Sequence, residues 1–108
     1  MMRWSPARPP RPRCPHRRQR HLLIRELPPG LAPGASTLRA WASASFVGAR
    51  HIFPCALAAG EAEPMRRALQ ERLGALEWRL PGHIVADVLV ECGRDPRTLR
   101  IEILTVED

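Results

Sequence analysis

Apolar and polar residues alternate with a period of two along three stretches of this chain, and repeat with a period near 3.6 along a fourth. Over residues 37–47, Leu38, Ala40, Ala42, Ala44 and Phe46 fall on one side, and Arg39, Trp41, Ser43 and Ser45 on the other. Gly48 marks a turn, and residues 50–57 read as a return strand. Pro54 lies inside that run and cannot donate to a ladder, which places it on a sheet edge. Over residues 83–92, Ile84, Ala86, Val88, Val90 and Cys92 share a face, and over 99–106 Leu99, Ile101 and Ile103 point inward. Residues 63–76 carry the helical repeat. Pro64 suits the first helical position, and Met65, Leu69, Leu73 and Leu76 form one apolar stripe. That stripe is expected to lie over the small residues Ala40, Ala42 and Ala44.

The strands at 83–92 and 99–106 are joined through Asp95-Pro96, with proline at the second position of a type I turn. Their apolar faces must coincide, because a slip of one residue turns every side chain over. Pairing Val90 with Ile101 meets this condition and sets Glu91 opposite Arg100. A register two residues along would set Asp87 against Glu102. The order strand, strand, helix, strand, strand predicts a small α+β domain over residues 37–108. It has a mainly antiparallel sheet of about four strands and one helix on one face.

Composition changes the picture upstream. Residues 1–20 hold seven Arg, five Pro and no acidic residue, whereas residues 21–108 hold ten Arg against eleven Asp and Glu. The net charge of +6 therefore belongs to the N-terminal segment, and the remainder is close to neutral. Proline and like charge predict a disordered basic tail over 1–20. Residues 21–27 are expected to form a short edge strand or to cover a core face, and the Pro/Gly-rich stretch 28–36 a loop. Lys, Asn and Tyr are absent, the residue usage of a GC-rich bacterial genome, so an all-Arg tail is weak evidence for phosphate recognition.

Candidate chemistry is sparse. Cys14, Cys55 and Cys92 are odd in number and lack CxxC spacing, which points to a reducing, cytoplasmic setting and not to a disulfide framework. No run approaches the ~20 apolar residues of a membrane helix. His51, Cys55, His83 and Cys92 make a nominal zinc set, but residues four apart on a strand stand ~13 Å apart, too far for one tetrahedral ion. Asp87 and Glu91 fail as a glycosidase pair for the same reason, and His83 with Asp87 fails as a dyad. Neither GxSxG, GxGxxG nor a P-loop occurs. No catalytic, metal or cofactor residue is assigned. Arg72 falls within the apolar stripe of the helix, either as a snorkelling side chain or as an anchor for an anion.

One helix covers one face of such a sheet. The opposite face would present Trp41, Ile52, Val85, Leu89, Leu104 and Val106 among charges, an apolar surface that either residues 21–35 or another protein should cover. The expected function is a non-catalytic interaction or assembly module, a homodimer or small subunit working through that face. The alternatives are a small ligand-binding or enzymatic domain with Arg72 in a pocket between helix and sheet, and a nucleic-acid-associated protein whose residues 1–20 bind polyanions weakly.

Overall fold

The computed structural model describes residues 14–108. In chain order the elements are α1 (His16–Glu26), β1 (Leu31–Pro33), β2 (Thr37–Ala42), β3 (Val47–Leu57), α2 (Ala62–Ala75), β4 (His83–Cys92) and β5 (Thr98–Glu107). The protein is α+β. Its strands form one five-stranded antiparallel sheet in the order β1-β3-β5-β4, with β2 also on β3. β1 pairs with the last residues of β3 and β2 with the first, so the two short strands lie end to end along one side of it.

Both helices pack on the same face. Leu23 of α1 and Leu69 and Leu73 of α2 join Phe53, Cys55, Leu57, Val90, Leu99, Ile101 and Ile103 in a single core. The helix over residues 63–76 is therefore present, but it lies against β4 and β5. Ala40, Ala42 and Ala44 are exposed, far from its stripe. The expected register of the last two strands holds: Val90 faces Ile101 and Glu91 faces Arg100. The Asp95-Pro96 turn closes as expected, with Thr98 N–H donating to the Asp95 carbonyl at 3.0 Å.

Several expectations are corrected. His16–Arg20 are helical, not part of a disordered tail, and residues 21–26 continue the same helix. The expectation of disorder over 1–13 falls outside the described residues. Gln19 and Leu23, spaced four apart, are buried on one side of the helix, and Leu27 just past its end packs against the core, so this segment covers the core and forms no strand. Residues 31–33, expected as loop, make β1. The hairpin turns at 43–46 and not at Gly48. Ser43 Oγ accepts from Phe46 N–H at 3.1 Å and holds a turn whose residues continue the alternation of the strand.

Pro54 lies in an interior strand, with β5 on one side. Its carbonyl accepts from Gly34 N–H at 2.8 Å. A strand residue points its N–H and C=O to the same side, so the missing donor faces the gap between β1 and β2. The strand is interior but the proline is locally on an edge.

β4 departs from simple alternation. A register shift falls between Val85 and Asp87, with Val85 facing Thr105 and Asp87 facing Leu104. Ala86 is the extra residue of a β-bulge. Val85 consequently packs against the core and Ile84 turns outward, the reverse of the sequence expectation.

The backbone of β4 would otherwise be open on its outer side. The Gln70 amide closes it: Nε2 donates to the Val88 carbonyl at 2.8 Å, and Oε1 accepts from Val90 N–H at 2.7 Å. Arg66 adds a donor to the Val90 carbonyl. Replacing Gln70 with Ala leaves two half-buried backbone groups unpaired and is expected to cost about 1–3 kcal/mol. Urea denaturation of the variant against wild type checks this.

Candidate interaction surfaces

Inward-facing residues of the sheet are consumed by the core, so the outer face is where function has room. Across it, row by row, stand Pro54, Arg100 and Glu91; then Thr37, Ile52, Glu102 and Leu89; then Arg39, Arg50, Leu104 and Asp87; and last Trp41, Gly48, Val106 and Ile84. Neither helix lies on it. One part is a ladder of ion pairs: Arg50 to Glu102 at 3.0 Å, Arg100 to Glu102 at 3.4 Å and Arg100 to Glu91 at 3.9 Å. Such exposed pairs contribute about 0–1 kcal/mol each. The last row is apolar from end to end. Ile84 and Leu89 are 53% and 40% exposed.

Of the residues expected on this face, Trp41, Ile52, Leu89, Leu104 and Val106 stand there and Val85 does not. Residues 21–35 do not cover it, since α1 and Leu31 belong to the core on the other side. Trp41 lies against the backbone of Gly48, where an added Cβ would come within 2.9 Å of the indole. Its Nε1 is buried and meets no acceptor.

On the inner face, a polar chain runs from the surface into the core. Ser36 Oγ and His16 Nε2 are 2.8 Å apart, His16 Nδ1 and His51 Nδ1 2.8 Å, and His51 Nε2 and Thr105 Oγ1 2.8 Å. The direction of the chain follows from its end. Thr105 Oγ1 donates to the Ala49 carbonyl, so it accepts from His51 Nε2–H. His51 Nδ1 is then bare and accepts from His16 Nδ1–H, and Ser36 donates to His16 Nε2. Every position is satisfied with both imidazoles neutral. The sequence carried no sign of this: the four residues are dispersed from Ser36 to Thr105 and His16, and only folding α1 onto β3 unites them.

Burial, together with the charges of His16 and His83, pushes His51 down to about 4. His16 is lowered too, by burial and then by Arg20. Ser36, His16 and His51 have the order of nucleophile, base and orienting group. However, neither described cavity reaches Ser36, and a neutral His51 cannot balance an imidazolium as a carboxylate does. The chain serves instead to dock the start of α1 on β3, with the near-parallel rings of His16, His51 and Phe53 beside it.

The remaining candidates lie apart. Cys55 is buried in the core, and burial pushes its thiol up to about 11. Cys92 is exposed beside Glu63, whose carboxyl is held down to about 2, chiefly by its hydrogen bond from Arg66. His83 meets the Pro81 carbonyl. Among the described residues no three His, Cys, Asp or Glu converge on a metal-sized site, and no helix is long and apolar enough to cross a membrane. Arg72 is exposed and donates from Nε to Glu26 at 2.9 Å, tying α2 to α1. A shallow cleft of about 360 Å³ lies between α2 and β4, lined by Gln70, Leu73, Trp78 and Asp87 among others, and Arg72 is not part of it.

A larger open groove of about 1010 Å³ runs beside α1, lined by Arg17, Arg18, His21 and Arg25 together with the apolar Leu22, Leu80 and Pro81. Gln19, on the same helix, is fully buried, and neither atom of its amide finds a partner.

No protein-family model matches the chain, and neither a curated protein nor a solved structure resembles it.

The histidine chain has a consequence for stability. Unfolded His51 titrates near 6.5 and folded His51 near 4, so between these values the unfolded state binds the extra proton. The contribution is fully present above pH 6.5 and falls away toward pH 4, by about 3 kcal/mol. Urea midpoints measured across this range should fall with pH in wild type and fall less in His51→Leu.

Proposed function

We propose that this chain is a non-catalytic assembly module whose outer sheet face seats another protein layer. One observation carries the reading: both helices lie on one side of a five-stranded sheet, and the other side carries the apolar row Trp41, Val106 and Ile84 next to Leu104 and Leu89. Burying those side chains returns about 25 cal/mol per Å² of apolar surface, and the Arg50–Glu102–Arg100 ladder lies among them with its charges already paired. A second copy of the chain is the occupant that purified protein can test. Ile84→Lys with Leu89→Lys changes only exposed positions, which should leave the fold within about 0.5 kcal/mol of wild type. Sedimentation equilibrium at tens of micromolar is expected to give a smaller mass for this double variant than for wild type. Equal masses would count against face-to-face self-association.

A second reading rests on the groove beside α1. Arg17, Arg18 and Arg25 beside the apolar Leu22, Leu80 and Pro81 suit an acidic ligand. Polyanion binding through these arginines would weaken steeply with salt. A filter-binding titration with single-stranded DNA is expected to show that slope, and to lose part of it in Arg17→Ala/Arg25→Ala. Binding that ignores salt would remove this reading.

A further inference from the structure

The sheet has three outer backbone edges, and two of them are partly occupied. On β4, Gln70 and Arg66 occupy the outward carbonyls and N–H of Val88 and Val90. On β1, Gly34 N–H and Ala58 N–H bond across the β1–β3 seam, to the Pro54 and Gly30 carbonyls. Alternation then leaves Leu31 and Pro33 pointing outward, and Pro33 has no N–H to offer. β2 has no such device.

Which groups β2 leaves open follows from its hairpin. Ser43 N–H donates to the Phe46 carbonyl, so 43 and 46 are a bonded pair. Alternation makes Trp41–Gly48, Arg39–Arg50 and Thr37–Ile52 bonded pairs as well. Leu38, Ala40 and Ala42 consequently turn their N–H and C=O away from β3. Among the described residues no element pairs with them, and all three residues are exposed, Leu38 by 46%. A row of unpaired N–H and C=O groups is a template for pairing with another strand.

We propose that this edge is a self-pairing site, where a second copy of the chain adds its own β2 antiparallel across a two-fold axis at Ala40. The two sheets become one continuous sheet. This contact is distinct from the outer face and goes beyond the function proposed for it.

Chemistry selects both the occupant and the register. Outward-facing residues must oppose one another, so the registers that the two-fold permits place 39 opposite 39, 40 opposite 40, or 41 opposite 41. The first sets Arg39 against Arg39, a like-charge pair at close range. The last puts Leu38 opposite Ala44 of the turn, beyond the end of the partner's strand. The middle register pairs Leu38 with Ala42 and Ala40 with its own copy, giving roughly six backbone hydrogen bonds.

The middle register also sets Arg39 opposite the partner's Trp41 on the outer face, twice over. Arg39 needs such a neighbour. Within its own protomer it stands opposite Arg50, which is committed to Glu102, and no acidic side chain among the described residues pairs with Arg39. The face of an indole answers a guanidinium. The segment before Cys14 is a poor alternative occupant, because Pro6, Pro9, Pro10 and Pro12 lack the N–H that a ladder requires.

The test uses the full chain carrying Ile84→Lys and Leu89→Lys, so that association through the outer face is absent. Sedimentation equilibrium is expected to show a dimer, and adding Ala40→Pro is expected to give a monomer. The Ala40 N–H serves nothing within the protomer, so an unchanged circular dichroism spectrum should accompany the loss. For the register, Cys14 and Cys92 are replaced by Ser. Ala40→Cys is then expected to form an interchain disulfide under mild oxidation, and Arg39→Cys is not, since only residue 40 faces its own copy at bridging distance. A monomer before Ala40→Pro is introduced, or a dimer after it, overturns the edge contact. Faster bridging of Arg39→Cys overturns the register. Failure of the face reading looks different: it leaves wild type and the Ile84→Lys/Leu89→Lys chain at the same mass.

Discussion

The inward row of β3 and β5 is the surface on which everything else is laid. Phe53, Cys55 and Leu57 from one strand and Leu99, Ile101 and Ile103 from the other are all buried, and they alternate with the outward-facing Pro54, Ala56, Arg100 and Glu102. A sheet with one such face must place its helices there, since apolar burial is the dominant favourable term in folding. α2 reaches that face directly from β3. α1 comes from the other end of the chain and brings Leu23 to the same cluster. With both helices spent on one side, nothing remains among the described residues to cover the other. The open outer face is thus a result of how the core is filled.

Helix positions are secured by polar contacts that differ in kind. α2 is fixed to β4 by the Gln70 amide, which copies the bonding of a neighbouring strand. α1 is fixed to β3 by imidazoles that must both stay neutral to satisfy the whole chain, while its own Gln19 amide is buried without a partner. An unpaired buried amide costs about 1–3 kcal/mol. α1 is therefore the less firmly held helix and the one sensitive to acid. Its exposed side also carries the basic groove, so docking of α1 and the placement of Arg17 and Arg25 depend on the same histidine pair.

Much of the sheet was legible where alternation is clean. Leu99, Ile101 and Ile103 announce β5, and the Glu91–Arg100 pairing picks out its register against β4. The stripe Leu69–Leu73 announces α2. What was hidden has physical causes. A bulge adds one residue without any Gly or Pro to mark it, so alternation read through Ala86 puts Val85 and Ile84 on the wrong faces. The turn at 43–46 is built from Ser43 and small residues that continue the strand pattern. α1 sits inside an Arg- and Pro-rich stretch whose composition argues for disorder, although Gln19, Leu23 and Leu27 keep the spacing of a helix face. As for the surfaces, five residues of the outer face were readable from parity alone, whereas the bare edge of β2 was not. An edge is defined by which strands fail to pair, and that belongs to topology.

Gln70 has a meaning beyond the helix it anchors. A sheet with two bare edges can add copies at both ends, and such growth has no limit. With Val88 and Val90 of β4 engaged by the Gln70 amide and Pro33 on β1, pairing at β2 is isologous: each copy spends its β2 edge on the other. Pairing through β2 then stops at two chains. The side chain that completes one strand of the monomer also withholds part of a second edge from growth through the sheet.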